Sequence, residues 1–312
     1  MSRKKAIRDA YGEILCELGA VNKDIVVLDA DVSGSTKSKE FADKYPERFY
    51  NVGIAEQNMV GIAAGMSLAG KIPFVNSFSF LLTTRALDQV RTSIAYPNLN
   101  VRIIGGYGGL SDSYDGPTHH SICDVGIMRT LPNMKVVVVA DAPSTKAIVR
   151  ESLNWNCPVF LRLSRAEVPI IFNDSYNFKL GKANLIKKGK DISIIANGIM
   201  VSKTLEATKM LEKDGIDVEV IEMASVKPLD ESAIIDTAKK TKALITVEEH
   251  NIIGGLGSAV AEVMAKNAIG KPFAVIGIND RFTESGDYQK LLDKYGLSSA
   301  NIIAKAKGLL RI

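Results

Sequence analysis

Along the chain, compact runs of β-branched residues alternate with stretches in which apolar residues recur every three or four positions. Val136-Val137-Val138-Val139 is the plainest run: it lacks polar alternation, as expected of a strand buried on both faces. The pattern predicts strands over 24–28, 49–52, 72–76, 101–105, 135–140 and 158–163, with helices over roughly 4–19, 55–69, 84–95, 120–129 and 143–154. Periodicity then fades. Residues 164–190 collect Pro169, Asn173, Asp174, Ser175, Asn177, Gly181 and Gly189, the composition of a linker. Alternation restarts with strands near 192–196, 218–222, 243–247 and 273–277, helices near 200–213, 230–239 and 256–268, and two closing helical stretches. Repeated βα units imply an α/β chain with mainly parallel sheets, in two consecutive domains: 1–172, a linker at 173–189, and 190–312.

Composition narrows the class. With 312 residues, 46% apolar and 24% charged, the chain can bury a sizeable core. A net charge of +4, with both signs interspersed, suggests neither a nucleic-acid nor a membrane partner. No apolar run reaches the ~18 residues of a membrane span. Met1-Ser2-Arg3-Lys4-Lys5 is followed by no apolar signal segment, and Cys16, Cys123 and Cys157 are far apart, so reduced thiols in a cytoplasmic protein are expected.

Candidate chemistry gathers after predicted strands, at the carboxyl edge where open α/β sheets bind ligands. Asp112-Ser113-Tyr114-Asp115-Gly116-Pro117-Thr118-His119-His120 holds two of the three histidines. Asp115 and His119 could orient substrate hydroxyls and exchange protons near neutrality; Asp115 could equally hold a turn while His119 or His120 caps the next helix. The preceding Gly105-Gly106-Tyr107-Gly108-Gly109 lets backbone approach a ligand. Glu56 leads a helix of small apolar residues, Met59 to Ala69, which suggests close packing on several faces and a partly buried acid. Such an acid could share a proton with a ring nitrogen, although a carboxylate in a first helical turn is also favoured by the macrodipole. In Asn76-Ser77-Phe78-Ser79-Phe80-Leu81-Leu82-Thr83-Thr84-Arg85, Phe78 or Phe80 could face a flat heterocycle or simply belong to the core. Gly254-Gly255-Leu256-Gly257 reads as helix–sheet packing rather than a dinucleotide fingerprint, because Val260 replaces the third glycine.

Taken together and in order, these segments resemble the C-terminal half of transketolase, a pyrimidine-binding domain followed by a transketolase C-terminal domain. Asp115-Gly116-Pro117-Thr118-His119 is the most specific string, and Gly53-Ile54-Ala55-Glu56-Gln57-Asn58-Met59 corresponds to the family's glutamate motif. Val247-Glu248-Glu249-His250 and Phe282-Thr283-Glu284-Ser285-Gly286 add support. The resemblance implies that Glu56 hydrogen-bonds N1′ of thiamine diphosphate, with Phe78 stacking on that ring. It implies that Asp115 and His119 face ketose hydroxyls, with His119 stabilising a developing alkoxide, and that Arg8, Ser35 and Arg165 grip a terminal phosphate. Two positions depart from the family: Tyr107 stands where another histidine is common, and the second stacking aromatic is Leu81 unless Phe80 substitutes.

The family holds the cofactor diphosphate through Mg²⁺ on a Gly-Asp-Gly string followed by Asn-Asn. The only Gly-Asp here is Gly286-Asp287, followed by Tyr288. The resemblance therefore implies one half of a split transketolase, with a separate N-terminal subunit supplying the diphosphate and Mg²⁺ site in an α2β2 heterotetramer. The product would be a two-carbon ketol unit transferred from a ketose to an aldose. A 2-oxoacid dehydrogenase beta subunit and a non-catalytic subunit of the same fold are the alternatives.

Overall fold

A computed structural model describes residues 3–312; Met1 and Ser2, at the start of the first expected domain, lie outside the described residues. Among the described residues, fourteen strands form three sheets. In chain order they are β1 (Lys4–Ala6), β2 (Ile25–Asp29), β3 (Phe49–Asn51), β4 (Ile72–Phe78), β5 (Arg102–Gly106), β6 (Lys135–Val138), β7 (Val159–Arg162), β8 (Glu167–Pro169), β9 (Asn184–Lys187), β10 (Ile192–Ala196), β11 (Val218–Glu222), β12 (Ser225–Lys227), β13 (Ala243–Asn251) and β14 (Phe273–Ile278).

A seven-stranded sheet runs β12-β6-β7-β5-β4-β2-β3, parallel except for β12. Its central strands are buried on both faces. Along β2, Ile25 and Val27 pack with Tyr11, Ile14 and Leu15 of helix Ile7–Val21, while Val26 and Leu28 pack with Met59, Val60 and Ala63 of helix Glu56–Leu68. This explains the absence of polar alternation in the runs. The second sheet, β14-β13-β10-β11-β9, is parallel except for its β9 edge. No helix among the described residues is long and apolar enough to cross a membrane, and the three cysteines are unpaired.

Several expectations need correction. The helix expected over 4–19 is a short strand, β1, and then helix Ile7–Val21; β1 pairs antiparallel with β8. The helix expected over 84–95 is Leu87–Gln89 followed by a π-helical turn, Val90–Ala95. That over 120–129 starts only at Asp124, because Ser121 is engaged in paired backbone hydrogen bonds with Gly109. The segment 173–189 is not a bare linker. Asp141, which caps helix Ala142–Glu151 through Ser144, also accepts the backbone N–H groups of Ile171 and Phe172, both at 2.8 Å. Farther on, Tyr176 and Asn184 donate to Glu222 on β11, and β9 joins the second sheet. The two expected domains also share a sheet, since β12 leaves the second half of the chain to pair with β6.

Candidate active site

The carboxyl ends of β2, β4 and β5 deliver the chemistry to one cleft of about 430 Å³. Glu56 opens its helix and is 1% exposed, with its side chain turned into the cleft wall. Its Oε2 accepts from Arg85 Nη1 at 2.8 Å and its Oε1 from Ser77 Oγ at a long 3.4 Å. Phe78 ends β4, and Phe80 and Leu81 follow in the single helical turn Ser79–Thr83 that the sequence pattern did not signal. All three line the cleft with His119. The His119 ring lies 5.0 Å from that of Phe80 and 6.1 Å from that of Phe78.

Beyond the tilted contact of Phe78 with Tyr107, whose ring centroids are 4.6 Å apart at an interplanar angle of 34°, the site turns basic. Tyr107 is buried and adopts φ +61°. Its hydroxyl accepts from Arg8 Nη1 at 2.7 Å, and Arg8 also donates to the backbone carbonyl of Ser35 at 3.3 Å. The Arg165 guanidinium lies 5.3 Å from the same tyrosine ring. Thus Arg8, Ser35, Tyr107 and Arg165 do meet, although they are spread over 157 positions of sequence from residue 8 to residue 165. Asp115 and His119 lie beside Asp112, a residue the sequence reading did not single out; one carboxylate oxygen of each acid and a ring nitrogen of His119 are within 4.8 Å of one another. Burial, then the like charge of Asp115, push Asp112 up to about 6 against the pull of Arg165 and His119.

The loop carrying these residues is braced by the second half of the chain. Glu249 accepts from the backbone N–H of Leu110 and from the Tyr288 hydroxyl, both at 2.9 Å. Burial, opposed by Arg162 and these hydrogen bonds, pushes Glu249 up to about 7. Arg162 donates to Asp124 at 2.8 Å and to the carbonyls of Ser121 and Glu249. Burial would raise Asp124, but Arg162, His250 and Ser79 outweigh it and hold the carboxyl below its ordinary value. His120 faces away from the cleft: Nδ1 meets Thr283 Oγ1 at 2.5 Å, and burial lowers its pKa. Gly286 donates its N–H to the Ser113 carbonyl at 2.9 Å. The segments 247–250 and 282–286 therefore have a physical role: from the second half of the chain they brace the loop that carries Asp115 and His119.

Two other motifs resolve plainly. Glu248 accepts from the N–H groups of Leu256 and Gly257 at 2.7 and 2.8 Å, so the chain's own carboxylate occupies that helix N-terminus and no dinucleotide phosphate is needed there. Asp287 of the sole Gly-Asp pair caps helix Tyr288–Lys294 by accepting from Lys290 N at 3.0 Å. A depression of about 460 Å³ beside Tyr96, Leu131 and Pro132 holds no acid or imidazole.

Residues 3–170 match the family described as transketolase, pyrimidine binding domain, and residues 181–302 match transketolase, C-terminal domain. The chain belongs to the transketolase family. It is 44% identical to a chain named as a transketolase C-terminal section of Methanocaldococcus jannaschii, covering 96% of this chain and 94% of the relative. It is 40% identical to a 6-deoxy-6-sulfo-D-fructose transketolase subunit of a Clostridium species, covering 96% and 93%. A solved structure described as a split-gene transketolase, an inactive β4 tetramer, superposes with a TM-score of 0.89 at 46% identity, covering 98% of each chain. The transketolase fold thus accounts for the two larger sheets and their order along the chain.

Proposed function

We propose that this transketolase-family chain is one subunit of a thiamine-diphosphate-dependent enzyme that transfers a two-carbon ketol unit from a ketose to an aldose. The buried carboxylate of Glu56, set among Phe78, Phe80 and His119 in one cleft, carries the reading. Apolar rings and a carboxylate fit the aminopyrimidine end of the cofactor: the rings cover its faces, and the acid meets a ring nitrogen. The diphosphate end lacks a counterpart, because the only Gly-Asp pair is a helix cap. A separate subunit with a Gly-Asp-Gly…Asn-Asn string would hold the diphosphate and Mg²⁺. Exposed Ile54 and Leu68, with the open Cα positions of Gly61 and Gly65 on the helix that Glu56 leads, support an interface there, in an α2β2 assembly. A cytoplasmic setting fits the unpaired cysteines.

Bound thiamine diphosphate supplies the electron sink that lets the ketose C2–C3 bond break. Within this chain, Glu56 would hold a proton at N1′ and Phe78 would fix the ring's plane. Asp115 would accept from a sugar hydroxyl. His119 would donate to the oxygen on which negative charge develops, a role typically worth about 10²–10⁴-fold. Arg8, Ser35 and Arg165, with Tyr107 between the two guanidinium groups, would receive the far end of the sugar.

The test is reconstitution with a partner bearing the diphosphate motif, followed by ketol-transfer assay and calorimetry with thiamine diphosphate. Transfer is expected only from the mixture. Glu56→Gln should abolish it while both chains stay folded by circular dichroism; wild-type turnover in that variant removes Glu56 from the mechanism.

A further inference from the structure

Among the residues near the sugar loop, Asp112 alone is neither part of the expected machinery nor explained by the fold. It is 1% exposed, and its Oδ2 has no hydrogen-bond partner. Its position is built rather than incidental, because its backbone carbonyl accepts from the Gly116 N–H at 3.3 Å and approaches His120 Nε2 at 3.2 Å. Oδ1 lies 3.5 Å from Arg165 Nη1, and one Asp112 carboxylate oxygen lies within 4.8 Å of a carboxylate oxygen of Asp115 and a ring nitrogen of His119. Asp112 therefore stands between the residues that would read the sugar's hydroxyls and those that would read its far end.

Charge decides what such a placement does. Arg8 is already engaged by the Tyr107 hydroxyl and the Ser35 carbonyl, and Arg165 by Asp112. Arg8 and Arg165 carry two positive charges, which the carboxylates of Asp112 and Asp115 oppose. A phosphate dianion entering here meets a guanidinium group that is partly neutralised, and it meets like charge on Asp112. A hydroxyl, by contrast, carries no charge for Asp112 to repel, and it can accept from a guanidinium group that stays paired with that acid.

We infer that Asp112 is a specificity-determining residue that turns the far end of the sugar site toward ketoses ending in a free hydroxyl and away from their phosphate esters. The inference rests on the ketol-transfer reading for its context. Its test has an arm that does not depend on turnover.

The first arm titrates inorganic phosphate into the purified chain by calorimetry, wild type against Asp112→Asn, an isosteric change that keeps the side chain's volume. Phosphate is expected to bind at least about tenfold more tightly to the variant, and adding Arg165→Gln should abolish the gain. Equal phosphate affinity in wild type and Asp112→Asn overturns the inference. The second arm compares D-xylulose with D-xylulose 5-phosphate as donors in the reconstituted complex. Asp112→Asn should move the ratio of kcat/KM toward the phosphate ester by at least about tenfold; an unmoved ratio overturns the inference as well. Hydroxypyruvate, which lacks a far end, separates the failures. If a well-assembled complex transfers nothing from it, the ketol-transfer reading falls, while tighter phosphate binding in the variant would still uphold the role of Asp112.

Discussion

Glu56 and Arg85 form an ion pair at 2.8 Å in which the acid is 1% exposed and the arginine 47% exposed. One carboxylate oxygen is thereby tethered from the open side of the cleft, and the other keeps only the long contact with Ser77. Arg85 thus fixes which oxygen of Glu56 is free to meet a ligand. A charge-assisted hydrogen bond of this kind contributes about 1.5–3 kcal/mol. Arg85→Ala is accordingly expected to lower kcat of the reconstituted enzyme by about ten- to a hundredfold, with the sugar KM little changed. Steady-state kinetics with a fixed saturating level of thiamine diphosphate checks this, and an unchanged kcat would show that the tether is idle.

Gly109 sits at φ +67°, and a Cβ added there would fall on the Glu249 carboxylate. Gly109→Ala therefore combines a left-handed backbone penalty with a collision against a buried acid, costing about 1–3 kcal/mol in strain. Thermal unfolding should register the loss, and sugar affinity should weaken because the Asp115–His119 loop hangs from this contact. Unaltered melting in the variant would contradict the bracing role given to Glu249.

The Arg162–Asp124 pair is buried, with side-chain exposures of 6% and 0%. Removing one partner of such a pair strands the other charge at a cost of about 3–5 kcal/mol. Arg162→Met should therefore destabilise the chain far more than the double change Arg162→Met with Asp124→Leu. Urea denaturation of the three proteins measures the difference, and comparable losses in single and double variants would refute the stranded-charge account.

Burial pushes Glu222 up to about 7 from an ordinary 4.5, against the hydrogen bonds from Asn184 and Tyr176. The folded state then holds a proton that the unfolded state releases, so this residue's share of stability declines as pH rises from about 4.5 to about 7 and stays level above. A shift of this size corresponds to about 3 kcal/mol at most. Glu249 acts in the same direction. Glu222→Gln should flatten part of the decline in melting temperature between pH 5 and 8, leaving the portion due to Glu249. A slope identical to wild type would remove Glu222 from the account.

The long elements were legible because each buried strand of four or more residues writes an apolar run, as in Val159–Arg162 and Ile192–Ala196. Of the four three-residue strands, Phe49–Asn51 was marked by its aromatic pair, whereas Lys4–Ala6, Glu167–Pro169 and Ser225–Lys227 were not, since three residues carry no readable period by themselves. Glu56, Phe78, Phe80, Leu81 and His119 could be singled out from local strings, and they share a cleft. Arg85 closed one of those strings but its pairing with Glu56, 29 positions away, depends on how β4 lies beside that helix. Asp112 was printed in the loop yet indistinguishable from a turn former. Glu249 lies 139 positions from Leu110, a separation no local pattern spans.

The antiparallel pairing of Ser225–Lys227 with Val136–Val138 bears on any attempt to trade modules between relatives. A chimera joined anywhere in 173–189 would give one parent's β6 a foreign border strand, and a seam placed after residue 184 would also part Tyr176 and Asn184 from Glu222. Grafts that respect this stitch must carry 225–227 together with the first 172 residues, so the two modules are inherited most safely as a single cassette.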